Sequence, residues 1–211
     1  MTDTKIIIVR HGETKWNLEG RWQGHLDSSL TMNGYNQAKA IAKNLLDQKI
    51  STLYSSDLGR ALQTAEQISK STGIKITNDC RLRERHLGIF QGLTVSEMME
   101  KFSVEYNRFR DQGPEYIVPD GESKKQCYER NILCINEIVQ KHPGETLVIV
   151  AHGGVLDSVF RYVIGIPLEA PRTFIIWNAG MNTFSHSNGK WYLLTFGDIN
   201  HLNSIRTIDD A

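Results

Sequence analysis

Two histidines stand in matching contexts. Ile6-Ile7-Ile8-Val9 runs into Arg10-His11-Gly12, and Leu147-Val148-Ile149-Val150-Ala151 runs into His152-Gly153-Gly154. Short apolar, β-branched runs read as buried strands, and in open α/β sheets the chemistry sits beyond the carboxyl ends of strands. If the two strands are parallel neighbours, both imidazoles meet at one edge of the sheet. A cation, an ionisable ring and a glycine placed there can grip an anion and attack it, because glycine lets main-chain amides come close. A strand followed by a polar turn, with His11 merely solvated, explains the first stretch equally well. The repetition of the pattern is what favours a site.

The rest of the chain must supply the elements that hold these strand ends. Residues 14–29 are polar, rich in Gly, Asn, Asp and Trp, and without a clear period, so they read as a long ordered loop of the kind that usually serves function. Thr31 reads as the N-cap of a helix carrying Tyr35, Ala38, Ile41, Ala42, Leu45 and Leu46 and ending near Gln48. Residues 51–55 form a second short strand. Ser56-Asp57 then caps a helix bearing Leu58, Ala61, Leu62, Ala65 and Ile68, with Arg60 near its start. Residues 74–77 are a third candidate strand, and the arginine-rich 81–88 fits neither template.

From 94 to about 110 the pattern is helical, with Met98, Phe102, Tyr106 and Phe109, and it is broken by Gly113-Pro114 and Pro119-Asp120-Gly121. Residues 92–121 are read as a small, partly helical insertion. Ser123 or Glu122 starts a long helix to about Lys141, and another spans about 155–164. Residues 181–186 and 191–196 flank Ser187-Asn188-Gly189, an Asn-Gly hairpin signal. These elements predict one α/β domain over 1–211: a three-layer αβα sandwich with a mostly parallel sheet, an edge hairpin and a small helical insertion.

Composition narrows the function classes. The 211 residues carry 24 Lys and Arg against 24 Asp and Glu, a formal charge of zero, which gives no electrostatic reason to expect nucleic acid or a membrane surface. The three cysteines, Cys80, Cys127 and Cys134, show no C-x-x-C spacing, so neither a disulfide framework nor a zinc site is expected, and a reducing cytoplasm is the natural compartment. Cys127 and Cys134 should face a core. The first residues lead straight into the Ile6 run, so no signal peptide is expected.

The ordered motifs resemble the histidine phosphatase superfamily, the family of cofactor-dependent phosphoglycerate mutases and related phosphatases. The resemblance rests on Arg10-His11-Gly12-Glu13-Thr14, Trp16-Asn17, Gln23-Gly24, Asp27, Leu30-Thr31 and Gly34, then on Ser55-Ser56-Asp57-Leu58-Gly59-Arg60-Ala61 with Thr64-Ala65. It continues through Leu82-Arg83-Glu84-Arg85, Gly88, Gln91-Gly92, Gly121-Glu122-Ser123 and Ala151-His152-Gly153, covering nearly the whole chain. It implies that His11 takes the phosphoryl group as phosphohistidine, its other ring nitrogen donating to a nearby backbone carbonyl. Arg10, Arg60 and a protonated His152 would clamp the equatorial oxygens. Glu84 would be the general acid and later the base, which requires Arg83 and Arg85 to point to substrate or solvent rather than at its carboxylate. Substrate contacts would come from Asn17, Thr14, Gln23, Gly24, Arg85 and Gly153. From spacing alone, Arg60 reads as a surface helix residue and Glu84 as a partner of Arg81 or Arg85; His25, His86, His142, His186 and His201 read as structural, solvated or peripheral. Trp16, Trp22, Phe90 and Tyr106 read mainly as core, or as lining for a pocket mouth.

Other phosphoryl-transfer classes conflict with the sequence. Six positions after the cysteines stand His86, Leu133 and Gln140, where a cysteine phosphatase needs arginine, and there is no P-loop or paired-aspartate motif. Within the resembled family, mutases follow the acid with Glu-Arg-His-Tyr-Gly. Here Leu87 replaces the tyrosine, Thr94-Val95 replaces Asn-Lys, and Arg108 and Arg110 are split by Phe109. The expectation is therefore a phosphomonoesterase for small phosphorylated metabolites, with no metal or other cofactor, working as a monomer or homodimer. The alternatives are a phosphoglycerate mutase, primed by 2,3-bisphosphoglycerate, and a non-catalytic protein that binds phosphorylated ligands.

Overall fold

A computed structural model describes residues 3–203 and 205–208, which leaves Met1 and Thr2 of the expected leaderless start outside the described residues. Elements are numbered in chain order: β1 (Thr4–Arg10), α1 (Lys15–Glu19), α2 (Met32–Leu45), β2 (Thr52–Ser55), α3 (Gly59–Thr72), β3 (Ile76–Asn78), α4 (Val95–Lys101), α5 (Ser103–Asp111), α6 (Lys124–Lys141), β4 (Thr146–Ala151), α7 (Gly153–Ile164), β5 (Met181–Ser187) and β6 (Lys190–Asp198).

The two apolar runs are adjacent parallel strands, paired from Lys5 with Thr146 through Arg10 with Ala151. The sheet order is β3-β2-β4-β1-β5-β6, with β2, β3 and β4 parallel to β1 and the β5–β6 hairpin antiparallel at one edge. Side chains of the central strands alternate between two cores, which is why their sequence is apolar at every position. Ile6, Ile8, Leu147, Ile149 and Ala151 pack with Cys134, Ile135, Ile138, Val155, Leu156 and Phe160 of α6 and α7. Ile7, Val9, Val148 and Val150 pack on the opposite face with Ile41, Leu45, Ala61, Ala65 and Ile68 of α2 and α3. Each fully buried Ile or Leu contributes about 1.5–3 kcal/mol. The result is the expected αβα sandwich. Because β1 feeds α2 on one face and β4 feeds α7 on the other, a crevice opens between their carboxyl ends.

Three local expectations need correction. Residues 14–29 are not all loop: Thr14 caps the five-residue α1, its hydroxyl accepting from the Asn17 amide while the Asn17 side chain accepts from the Thr14 amide, and a helix so short leaves no periodic trace. The helix expected over 94–110 is two, α4 and α5, separated at Phe102 (φ −138°, ψ 45°). The start of α3 is not capped by Ser56 or Asp57. Leu58 occupies the cap position without a side-chain bond, and the carboxylate of Asp27, 32 positions away, accepts from the Gly59 and Arg60 amides.

Residues of the 92–121 segment share a small cluster with the residues just before it: Phe90, Met98, Tyr106 and Val118 are buried, with Trp22, Phe102 and Phe109 packed on them. Thr31 and Ser123 cap α2 and α6 as anticipated, and Asn188 and Gly189 turn the hairpin at φ 51° and 74°. No helix among the described residues is long and apolar enough to cross a membrane.

Candidate active site

His11 leaves the sheet with its amide still bonded to the Ala151 carbonyl (3.0 Å), and its ring is nearly fully buried. Its Nδ1 lies 2.8 Å from the Gly12 carbonyl and its Nε2 lies 3.3 Å from Arg60 Nε. A carbonyl can only accept and a guanidinium N–H can only donate. The ring is therefore the neutral tautomer with its proton on Nδ1 and a lone pair on Nε2. Behind it, Gly12 and the α2 residue Gly34 touch backbone to backbone: a Cβ on Gly12 would stand 2.6 Å from the Gly34 carbonyl, and one on Gly34 would strike the Glu13 carbonyl. Both positions therefore demand glycine.

Arg60, on α3, is 1% exposed and tied on three sides. Its Nη1 donates to the Leu26 carbonyl and Asp27 Oδ1 (2.8 and 3.0 Å) and its Nη2 to the Gly24 carbonyl (2.8 Å), which leaves Nε to face His11. Burial lowers its pKa and Asp27 opposes that shift. Arg10 is buried at the end of β1, with Nη1 donating to the Ile176 carbonyl at 2.6 Å.

His152 is fully buried, with its ring centroid 5.3 Å from that of His11. Its Nε2 lies 2.8 Å from Ser56 Oγ, and its Nδ1 has no hydrogen-bond partner among the described residues. Burial first, then the neighbouring Arg60, His11 and Arg10, hold its pKa well below the ordinary histidine value. Burial above all, with Arg60 and Arg10 nearby and no carboxylate partner among the described residues, thus favours a neutral imidazole over the protonated His152 expected from the sequence.

Glu84 comes from the irregular arginine-rich segment and reaches the start of α7. Its Oε2 accepts from the Gly154 amide (3.0 Å) and its Oε1 from the Arg85 amide (2.7 Å), an approach that a Cβ on Gly154 would block. Its main-chain carbonyl is held by His25 Nε2 (2.8 Å) and Arg130 Nη2 (3.3 Å). Neither neighbouring arginine side chain pairs with the carboxylate. Arg83 forms a bidentate pair with Asp57, whereas Arg85 donates to the Glu122 carbonyl (3.0 Å) and lies 5.0 Å over the Phe109 ring.

A cavity of about 350 Å³ is lined by Arg10, His11, Asn17, Gln23, Gly24, Arg60, Glu84, Arg85 and Gly153. The fold thus brings nine of the anticipated residues to one place, with His152 packed directly behind. Thr14 is the exception. It is fully buried, bonded to Asn17 and Gln23, and supports the lining rather than joining it. The aromatics divide: Trp22 lines the cavity, whereas Phe90 and Tyr106 belong to the cluster above it.

Several lining residues were not singled out in the sequence: Arg21, Lys124, Asp157 and Arg172. Lys124 and Asp157 start α6 and sit on α7, with Nζ 3.6 Å from Oδ2, while the same Oδ2 accepts from buried Arg161 (2.8 Å). Nothing local marks them, since they converge only through the packing of α6 on α7. Among the described residues no group of three or more His, Cys, Asp or Glu converges as a metal site.

Comparison with known proteins gives the family. Residues 6–199 match the model of the histidine phosphatase superfamily (branch 1). The chain is 40% identical over 202 residues to phosphoglycerate mutase-like protein 4 of Arabidopsis thaliana, covering 94% of this chain and 86% of that one. It is 36% identical over 205 residues to the metal-independent phosphoserine phosphatase of the same plant, covering 96% and 84%. Among solved structures, it superposes on Bacillus stearothermophilus YhfR with a TM-score of 0.87 at 34% identity, covering 95% of this chain and 100% of that one.

Proposed function

The chain belongs to the histidine phosphatase superfamily, branch 1, and from that premise we propose that it is a metal-independent phosphomonoesterase acting on small phosphorylated metabolites through a phosphohistidine on His11. The observation that carries this reading is the His11 tautomer. Nδ1 is anchored at 2.8 Å to the Gly12 carbonyl, so the lone pair of Nε2 is presented to the guanidinium side of the cavity, where an anion would sit.

The Nε2 lone pair attacks phosphorus as the ester P–O bond breaks, and Glu84 gives its proton to the departing oxygen. Charge on the three equatorial oxygens is met by Arg10, Arg60, the Asn17 amide and the main-chain N–H at Gly153, the start of α7, whose dipole favours an anion. Glu84, now ionised, then takes a proton from water as the water oxygen attacks phosphorus and the P–N bond breaks, which returns phosphate and the free imidazole. A cavity of about 350 Å³ suits a small ester, and Arg85, Lys124 and Arg172 on its wall suit one that is anionic beyond the phosphate. The metal-independent phosphoserine phosphatase among the relatives supports hydrolysis without a cofactor.

Mutation of phosphoglycerate is the second reading, favoured by Glu84-Arg85-His86 and by the mutase-like relative. Against it, Leu87 puts an aliphatic wall where mutases carry a hydroxyl, and Arg108 and Arg110 are not among the lining residues. The test is p-nitrophenyl phosphate hydrolysis beside 3-phosphoglycerate isomerisation in EDTA, with wild type and His11→Ala. Hydrolysis that persists in His11→Ala rejects the proposal. Isomerisation that depends on 2,3-bisphosphoglycerate reassigns the chain to the mutases.

A further inference from the structure

We propose that Ser56 is a positioning residue that fixes the tautomer of His152, so that a neutral imidazole offers its Nδ1–H to the transferring phosphoryl group. The inference follows from counting protons. Ser56 is fully buried at the end of β2, its amide bonded to the Val150 carbonyl. Its Oγ has two partners. The Leu58 amide donates to it (3.3 Å), and His152 Nε2 lies 2.8 Å away. The hydroxyl proton therefore has one acceptor in reach, the Nε2 lone pair, since an amide N–H cannot accept. With Nε2 accepting, the ring proton is on Nδ1.

That Nδ1 is buried and has no partner among the described residues, 5.3 Å ring to ring from His11. A buried donor without an acceptor is unfavourable, and the penalty is relieved when a phosphoryl oxygen arrives beside His11. The local fold frees Ser56 for this duty. Ser56 lies two residues before the cap position held by Leu58, and Asp27 caps α3 from outside, so the hydroxyl proton of Ser56 is left to the imidazole. In this arrangement His152 serves as a donor without carrying charge, which suits a ring crowded by Arg10 and Arg60. The reading of His152 as a hydrogen-bond donor to the phosphoryl group rests on the proposed phosphatase function, whereas the tautomer itself does not.

The experiment is long-range ¹H–¹⁵N correlation spectroscopy of the histidine rings at neutral pH, with His152 assigned by the signals lost in His152→Gln. It is paired with steady-state hydrolysis of p-nitrophenyl phosphate. Wild type should show His152 as the neutral Nδ1–H tautomer. Ser56→Ala should move it toward Nε2–H and lower kcat about tenfold with KM little changed, less than the roughly 100- to 1,000-fold loss from removing a direct donor. Ser56→Thr, which keeps the hydroxyl, should restore both. An Nε2–H tautomer in wild type overturns the proposal, as does an unchanged tautomer or unchanged kcat in folded Ser56→Ala. If wild type shows the Nδ1–H tautomer but no hydrolysis, the phosphatase reading fails while the assignment of Ser56 to the His152 tautomer stands.

Discussion

Asp27 lies outside the catalytic set, yet Asp27→Ala should weaken both the fold and the turnover. Its carboxylate accepts from the Gly59 and Arg60 amides at the start of α3 and pairs with Arg60 Nη1 at 3.0 Å. Loss of an N-cap acceptor costs about 1 kcal/mol. Stripping a buried charge of its partner costs about 3–5 kcal/mol when both are buried. Here the Asp27 side chain is 37% exposed and Arg60 keeps two carbonyl acceptors, so solvent screening brings that part nearer about 1–2 kcal/mol. The sum, about 2–3 kcal/mol, lowers the melting temperature of a chain this size by roughly 5–10 °C. Arg60 Nε, no longer aimed by its tied terminal nitrogens, misplaces the charge beside His11 Nε2, and kcat falls about 10- to 100-fold. Asp27→Asn keeps one oxygen acceptor but loses the charge and the second acceptor, since Oδ1 and Oδ2 both accept in the wild type, so it falls between. Thermal melts and saturating-substrate turnover on the same preparations read both effects. A folded Asp27→Ala that melts within about 1 °C of wild type and turns over at the wild-type rate would mean that Asp27 neither caps α3 nor aims Arg60.

Three other substitutions probe separate links. Glu84→Gln should cut kcat for an alkyl phosphate by about 100- to 10,000-fold, with a much smaller loss for p-nitrophenyl phosphate, whose leaving group departs without a proton. Equal losses would contradict an acid role. For His152, the unfolded ring gains a proton below about pH 6.5 while the folded ring, its pKa held down by burial, does not. Folding stability therefore falls as pH drops through that value, by up to about 1.4 kcal/mol per pH unit. His152→Gln should flatten that part of the melting curve between pH 7 and 5, and a slope identical to wild type would count against the buried neutral ring. Gly34→Ala drives a Cβ into the Glu13 carbonyl, a contact that neither backbone can relieve alone. It should destabilise by about 1–3 kcal/mol, seen as a lower urea midpoint, and an unchanged midpoint would mean that α2 shifts freely.

What could be read from the sequence was what is written locally. The alternating cores of β1 and β4 follow from apolar residues at every position, Thr31 and Ser123 mark their helices by capping, and Asn188-Gly189 marks the hairpin. The two similar strand ends bring His11 to His152 only on the condition that the strands pair in parallel, and the fold supplies that pairing. The shortest element, α1, left no period, and α3 takes its cap from Asp27 across 32 residues, a partner no local pattern names. Lys124, Asp157 and Arg172 reach the cavity only because elements distant in sequence pack together. The ionisation of His152 is hidden for the same reason: it depends first on how deeply the ring is buried and then on the cations around it, which are properties of the packed state.

In the proposed reaction His11 carries the phosphoryl group. Rapid quenching of wild type with ³²P-labelled phosphomonoester should trap a protein-bound label that is stable in base, lost in acid and absent from His11→Ala, mapping to the peptide with Arg10-His11-Gly12. Hydrolysis with no such label under conditions that trap other phosphohistidines, or label retained in His11→Ala, would contradict it.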